Sequence, residues 1–297
     1  MKKGYLYVLL AAVLWGTLPA ACRFIYSMGG ESVTSAAARA YIASIVFVAI
    51  FLINGSFKKI KLKDIPFYIV YGIAGVGGTF LFYMLAVERL STAMASILLY
   101  TAPAFVIIFS RIFFKEKITP VKLFALFGTL LGLAFVVRVY DTSSFVGNLP
   151  NILIGLASGI CYSLVTILGK IAKNKAPANI NSGLMIIFGT LVFLPFAPPH
   201  TIPIHSAGLM GGYIYLAIFG SVLPYIFYLK GLDCGIDGGY ASVVATIEPV
   251  VATAMCAAVF QERIEPIQVV GIIIVLISIM LAVTAGKEQN STAGRLS

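Results

Sequence analysis

The stretch Tyr240–Phe260, YASVVATIEPVVATAMCAAVF, decides the fold. At ~1.5 Å per residue it is long enough to cross a ~30 Å hydrocarbon layer. Its one formal charge, Glu248, falls near the middle and is followed at once by Pro249. A carboxylate at the bilayer centre costs roughly 2.5–3.5 kcal/mol on insertion scales. A proline there removes a backbone hydrogen bond and kinks the helix. Together they point to a helix broken around a polar site. The plainer reading is a structural kink with the glutamate capping freed backbone groups.

Composition agrees with a membrane setting. The chain is 60% hydrophobic and 11% charged, with mean hydropathy +1.00, against about 25% charged in ordinary soluble domains. A net charge of +10 raises the question of nucleic acid. The basic residues instead cluster between apolar spans: Lys58, Lys59, Lys61 and Lys63 in one loop, and Arg111, Lys115, Lys117 and Lys122 around another. Such clusters hold loops on the cytoplasmic face against anionic lipid, and no aromatic-basic platform accompanies them. Cys22, Cys161, Cys234 and Cys256 show no metal-ligand or paired spacing and read as packing residues. No metal or other cofactor is expected.

Ten spans follow in order: Met1–Phe24 (read as an uncleaved helix), Ser32–Asn54, Pro66–Val87, Ser91–Phe114, Val121–Val139, Asn151–Ala172, Asn181–Pro198, Ser206–Lys230, the opening stretch, and Pro266–Ala285. Asp141–Pro150 is the seam between halves. This gives a first five-helix unit over 1–140, a second over 150–285 and a disordered cytoplasmic tail over 286–297. With the N-terminus inside, 16 Lys and Arg fall on inner segments and four (Arg23, Arg89, Arg138 and Arg263) on outer ones, leaving Arg39 within the membrane. That asymmetry puts both termini in the cytoplasm of a multi-pass cell-membrane protein.

The halves align at a shift of 146. Ala95-Ser96 falls on Ala241-Ser242, Pro103 on Pro249, and Glu116, Ile118 and Pro120 on Glu262, Ile264 and Pro266. One further residue of shift brings Trp15 onto Tyr162 and Arg23 onto Lys170. Five spans per unit is odd, so the second unit enters the membrane inverted. The expected fold is all-α, with ten transmembrane helices in two inverted five-helix repeats around a central cavity. Such repeats build many secondary transporters, with the substrate near the midplane. GxxxG spacings at Gly128–Gly132, Gly155–Gly159 and Gly208–Gly212 suit close helix packing. The uncharged fifth and tenth spans suit outer buttresses or a homodimer face.

Trp15-Gly16, Arg39, the Ala241–Pro249 segment ending in Glu-Pro, and the Glu262-Arg263…Pro266 turn resemble the EamA family of the drug/metabolite transporter superfamily, as two tandem units over nearly the whole chain. The resemblance implies ten helices, cytoplasmic termini and a cavity walled mainly by helices one to four and six to nine. It also implies transport, often export, of small metabolites such as amino acids. Ala102-Pro103 stands where the second unit has Glu248-Pro249, so no symmetric pair of carboxylates is present.

Glu248 is the leading site residue. A carboxyl in hydrocarbon could exchange a proton and couple transport to a gradient, bind a substrate amine, or pair with Arg39. Arg39 would favour a substrate carboxylate or phosphate, or else bond carbonyls freed at a kink. Together they would suit a zwitterion. Trp15, Tyr100 and Tyr162 lead seven aromatics (with Tyr83, Tyr225, Tyr228 and Tyr240) of which about three are expected to line the cavity. Ser96 and Ser242 are repeat mates that could bind substrate or simply pack, and Pro103 and Pro249 are candidate hinges. Arg23 and Lys170 are expected to snorkel to the interfaces. No HExxH, GxSxG or Walker loop is present, which argues against an enzyme and against an ATP-driven pump. The expected activity is secondary transport of a small metabolite, most simply export of an amino acid or related zwitterion. The alternative is a carrier of a lipid-linked or other amphipathic, drug-like substrate.

Overall fold

The computed structural model describes residues 2–90, 92–139 and 149–293; these are mostly helical, joined by short loops, with no strand among them. Eight helical segments are long and apolar enough to cross a membrane: Lys3–Ser27, Ser32–Ile53, Leu62–Arg89, Met94–Phe114, Leu149–Ala172, Ala207–Asp233, Gly238–Phe260 and Pro266–Gly286. Where the sequence reads ten spans, the other two are shorter apolar helices, Pro120–Val136 and Ala178–Phe193. Large apolar side chains such as Ile45, Leu52, Ile53, Phe124, Phe127 and Met280 stay exposed around the bundle. On a water-facing surface an apolar belt of this extent would be a liability; against lipid it is the expected exterior.

Five of the spans are interrupted, and a proline follows four of the breaks. The first is α1 (Lys2–Gly16) and α2 (Leu18–Ser27), parted at Thr17 ahead of Pro19; the second is α3 (Ser32–Ile53). The third is α4 (Ile65–Val70), a π-helical stretch Tyr71–Gly77, and α5 (Gly78–Arg89). The fourth is α6 (Thr92–Leu99) and α7 (Ala102–Phe114), and α8 is Pro120–Val136. In the second half come α9 (Leu149–Ala172), α10 (Ala178–Gly189), α11 (Ala207–Ala217), a π-helical stretch Ile218–Val222, and α12 (Leu223–Asp233). Then follow α13 (Gly238–Ala245), α14 (Glu248–Phe260) and α15 (Pro266–Ala293).

The tail expected to be disordered from 286 is helical to Ala293, because Lys287–Asn290 and the residues after them contain no helix stop before Gly294. Residues 294–297 lie outside the described part, as do 140–148, which hold most of the expected seam.

The interruptions recur at the 146-residue shift. The α6/α7 break falls at Tyr100-Thr101 and the α13/α14 break at Thr246-Ile247. Pro103 and Pro249 each lack the N–H that would continue the helix. Thr101 and Thr246 compensate by donating their hydroxyls to the Leu98 and Val243 carbonyls, at 2.6 and 2.5 Å. The π-helical stretches also coincide, and Lys115 and Gln261, 146 apart, both end their helices in the left-handed region (φ 57° and 56°).

Packing repeats in the same way. α1 lies on α12 and α9 on α5, while α8 packs along α15. Ser44 and Thr190, themselves 146 apart, hydrogen-bond to each other across the α3–α10 contact at 2.8 Å. Between α8 and α15 the backbones nearly touch: a Cβ on Gly132 would meet the Gly271 carbonyl oxygen at 2.8 Å. Apolar burial gives little drive between helices in lipid, so close packing of this kind carries the association.

Candidate functional site

Both helix breaks open onto one internal cavity. It is lined by Tyr100, Ala102, Pro103 and Val106 beside the first break, Ser242, Ala245 and Thr246 beside the second, and Tyr162, Thr166 and Tyr228 from α9 and α12. The room left inside it is ≈ 20 Å³, space for about one water. Thr166 and Tyr228 share a hydrogen bond of 2.6 Å in its wall. The Ser242 hydroxyl is turned back to the Gly239 carbonyl of its own helix at 2.8 Å.

Glu248 opens α14 directly after the second break, where a carboxylate meets the N-terminal end of a helix. It is only partly covered by protein. Tyr100 and Arg39 both lie within electrostatic reach of it. Arg39 and Glu248 are not an ion pair: no bridge to Glu248 occurs among the five in the described residues.

Arg39 is held elsewhere. Its Nε donates to Ser221 Oγ at 2.7 Å and one terminal nitrogen to the Gly220 carbonyl at 2.8 Å, with the guanidinium 4.6 Å over the Phe80 ring. Trp15 Nε1 donates to the same Gly220 carbonyl at 3.1 Å. Residue 224, four positions on, is a proline with no N–H to offer that carbonyl, and these two side chains from the first half satisfy it.

Of the residues expected at the site, the structure therefore gathers Tyr100, Tyr162, Ser242 and Pro103 around the cavity; Glu248 and Pro249 come directly after its second break and are not among the lining residues. Trp15 stands behind the wall. Its ring packs against Tyr162, Tyr225 and Tyr228 with centroids 6.3, 5.2 and 5.6 Å away. Ser96 is directed to the Tyr83 hydroxyl at 3.1 Å instead of the cavity.

Tyr228 was one aromatic among seven and Thr166 and Thr246 carried no signal, since neither motif nor charge marks a wall-lining hydroxyl. Arg23 and Lys170, expected to snorkel, are paired instead: Arg23 with Glu262 and Lys170 with Glu116. Lys122, grouped with the lipid-facing loop cations, is buried and bridged to Asp237 at 2.7 Å. Both corrections have one cause: the partner comes from the other half of the chain.

The model of the EamA-like transporter family matches residues 2–138 and again 149–284. The chain belongs to the EamA-like transporter family. An "uncharacterized transporter" of Archaeoglobus fulgidus is 29% identical over 95% of this chain and 99% of its own length, and one of Clostridium kluyveri is 25% identical over 98% and 96%. The "uncharacterized inner membrane transporter YicL" of Salmonella typhimurium is 24% identical over 94% and 95%. A crystal structure covering 97% of this chain and 99% of its own superposes with a TM-score of 0.81 at 17% identity, which speaks to the fold alone. This EamA family member is accordingly a multi-pass membrane transporter and not an enzyme.

Proposed function

We propose that this EamA family member is a secondary transporter that exports an amino acid or related zwitterion by alternating access. In this reading it has ten spans in two oppositely oriented five-helix units, 1–140 and 150–285, with both termini cytoplasmic in the cell membrane. The short helices Pro120–Val136 and Ala178–Phe193 complete the ten.

The observation that carries the reading is the recurrence, 146 residues apart, of the broken helices on either side of one cavity. Paired discontinuous helices meeting at mid-depth are the construction from which alternating-access carriers make their sites. Glu248 beside Tyr100 offers a seat for an amine or a proton. The tyrosine faces of the wall suit an apolar side chain or a cation. Arg39 acts first by tying the bulge of the eighth span to the third helix, and contributes positive potential for a substrate carboxylate from there. Pro103 and Pro249 serve as the hinges.

The test is a thermal-shift screen of the purified protein against amino acids, nucleosides, sugars and organic cations, followed by saturable counterflow of the hits in proteoliposomes. Amino acids should raise the melting temperature and exchange across the membrane. A hit list without a zwitterion, or hits that never cross, would overturn the substrate assignment.

A further inference from the structure

All five ion pairs among the described residues join one half of the chain to the other, and they fall into two groups at opposite ends of the bundle. Lys122 lies in the first turn of α8 and Arg138 just past its end, roughly 24 Å away along the axis. At the Lys122 end the pairs are covered. Lys122–Asp237 has side chains 1% and 9% exposed and Lys170–Glu116 17% and 14%, with Lys175–Asp64 beside them. At the Arg138 end they are open: in Arg23–Glu262 both side chains are 49% exposed, and Arg138–Glu265 is no better covered.

Two of the covered pairs form one network. Glu116 Oε1 accepts from Lys170 and, at 3.4 Å, from the Gly238 amide. Asp237, next to Gly238, caps α13 through the Tyr240 amide at 3.1 Å and accepts from Lys122 at 2.7 Å. Lys122 also donates to the Lys117 carbonyl at 3.0 Å, in the turn that carries Glu116.

This network lies one helical turn beyond the cavity. Lys170 follows the wall residue Thr166 by four positions, Ser110 follows Val106 by four, and Gly238 precedes Ser242 by four, a rise of ~6 Å. There α7, α9 and α13 meet without spare room. A Cβ on Gly238 would lie 2.9 Å from Ser110 Oγ and 3.3 Å from Lys170 Cδ, and one on Gly239 2.9 Å from the Ile107 side chain. The cavity has space for about one water, so nothing larger enters until an end parts.

The two ends carry the same device in different states. Arg23–Glu262 is the repeat mate of Lys170–Glu116, down to the cation over Phe260 as Lys170 is over Phe114. Lys122–Asp237 has no such mate: Lys122 falls on Gln268, which donates to the Val136 carbonyl at 2.9 Å. The covered end therefore holds an additional tie.

We propose that Lys170–Glu116 and Lys122–Asp237 form a latch between the halves that must part before the cavity opens at their end, and that Arg23–Glu262 closes the far end in exchange. Assigning this end to the cytoplasm and the exchange to substrate passage rests on the transport reading; the latch itself does not. Replacing both partners of a covered pair with neutral groups removes the tie without stranding a charge.

The experiment uses the full chain with its four cysteines exchanged for serine and a reporter, Ala245→Cys, in the cavity wall. A membrane-impermeant maleimide is added on whichever side labels a Lys117→Cys control, and the reporter-to-control ratio is read. In Glu116→Gln/Lys170→Met the ratio should rise roughly tenfold, a coupling ordinary for residues of one network. In Arg23→Met/Glu262→Gln it should fall below the parent, because opening the latched end then gains no closing contact at the other.

A ratio unchanged in the first variant, or raised in both, overturns the latch; a second variant that does not fall overturns the exchange between ends. Should the first variant not fold, the latch is held shut instead. Ser110→Cys/Gly238→Cys brings two thiols within disulfide reach. Oxidation should abolish reporter labelling from that side and reductant should restore it; labelling that survives the formed disulfide overturns the latch. Ratios that move as stated in a protein that carries no substrate would refute the transport reading and leave the latch standing.

Discussion

Removing the Lys122 ammonium should be far more damaging than removing the whole buried pair. Lys122 is 1% exposed and bridges Asp237 at 2.7 Å. In Lys122→Met, Asp237 remains buried, keeps its cap on Tyr240, and has lost its cation. Breaking a buried pair by taking away one partner costs about 3–5 kcal/mol, whereas replacing both with neutral groups of similar shape is often close to neutral. At about 2 °C per kcal/mol for a chain of this size, the single variant should melt roughly 6–10 °C below the parent in detergent. Lys122→Met/Asp237→Asn keeps a capping side chain at 237 and should recover most of that loss. A single variant no less stable than the double would refute the buried-pair reasoning, as would a double variant showing the sum of two independent losses.

Other consequences follow from the same contacts. Trp15→Phe keeps an aromatic ring against Tyr225 and Tyr228 but loses the bond to the Gly220 carbonyl, which Arg39 still serves. It should therefore cost only about 1 kcal/mol, against roughly 3–5 kcal/mol for Trp15→Ala, as read by chemical or thermal unfolding. Gly132→Leu drives its side chain into the Gly271 backbone and should lower the melting temperature by several degrees, with α8 and α15 parting first in hydrogen exchange. Glu248→Gln should abolish proton-dependent transport in vesicles while leaving the melting temperature within a degree or two of the parent; pH-jump uptake that persists unchanged would end the coupling role given to Glu248.

Much of the architecture was legible because its determinants are local. Pro103 and Pro249 announce the breaks, and the Glu-Ile-Pro echo at 116–120 and 262–266 announces the repeat. The π-helical stretches were not legible: Gly72, Gly75 and Gly77 advertise a soft helix, but Ile218–Val222 carries one glycine and bulges in the same place, held by Trp15 and Arg39 from the other half. At the site, Tyr100, Tyr162 and Ser242 could be placed from depth and repeat position. Trp15 has the same credentials and sits one layer back, because α1 packs on α12 and presents that ring to Tyr225 and Tyr228. Lys122 looked like a loop cation since nothing near it in sequence reveals Asp237, 115 residues away.

The central claim, two units of opposite orientation, is tested most directly by sided labelling of the repeated turns. Single cysteines at Lys117→Cys and Arg263→Cys, in the cysteine-free chain, are exposed to an impermeant maleimide in intact cells and in inverted vesicles. The account predicts that position 263 reacts only from outside and position 117 only from the cytoplasmic face; reaction of both from the same compartment would contradict it.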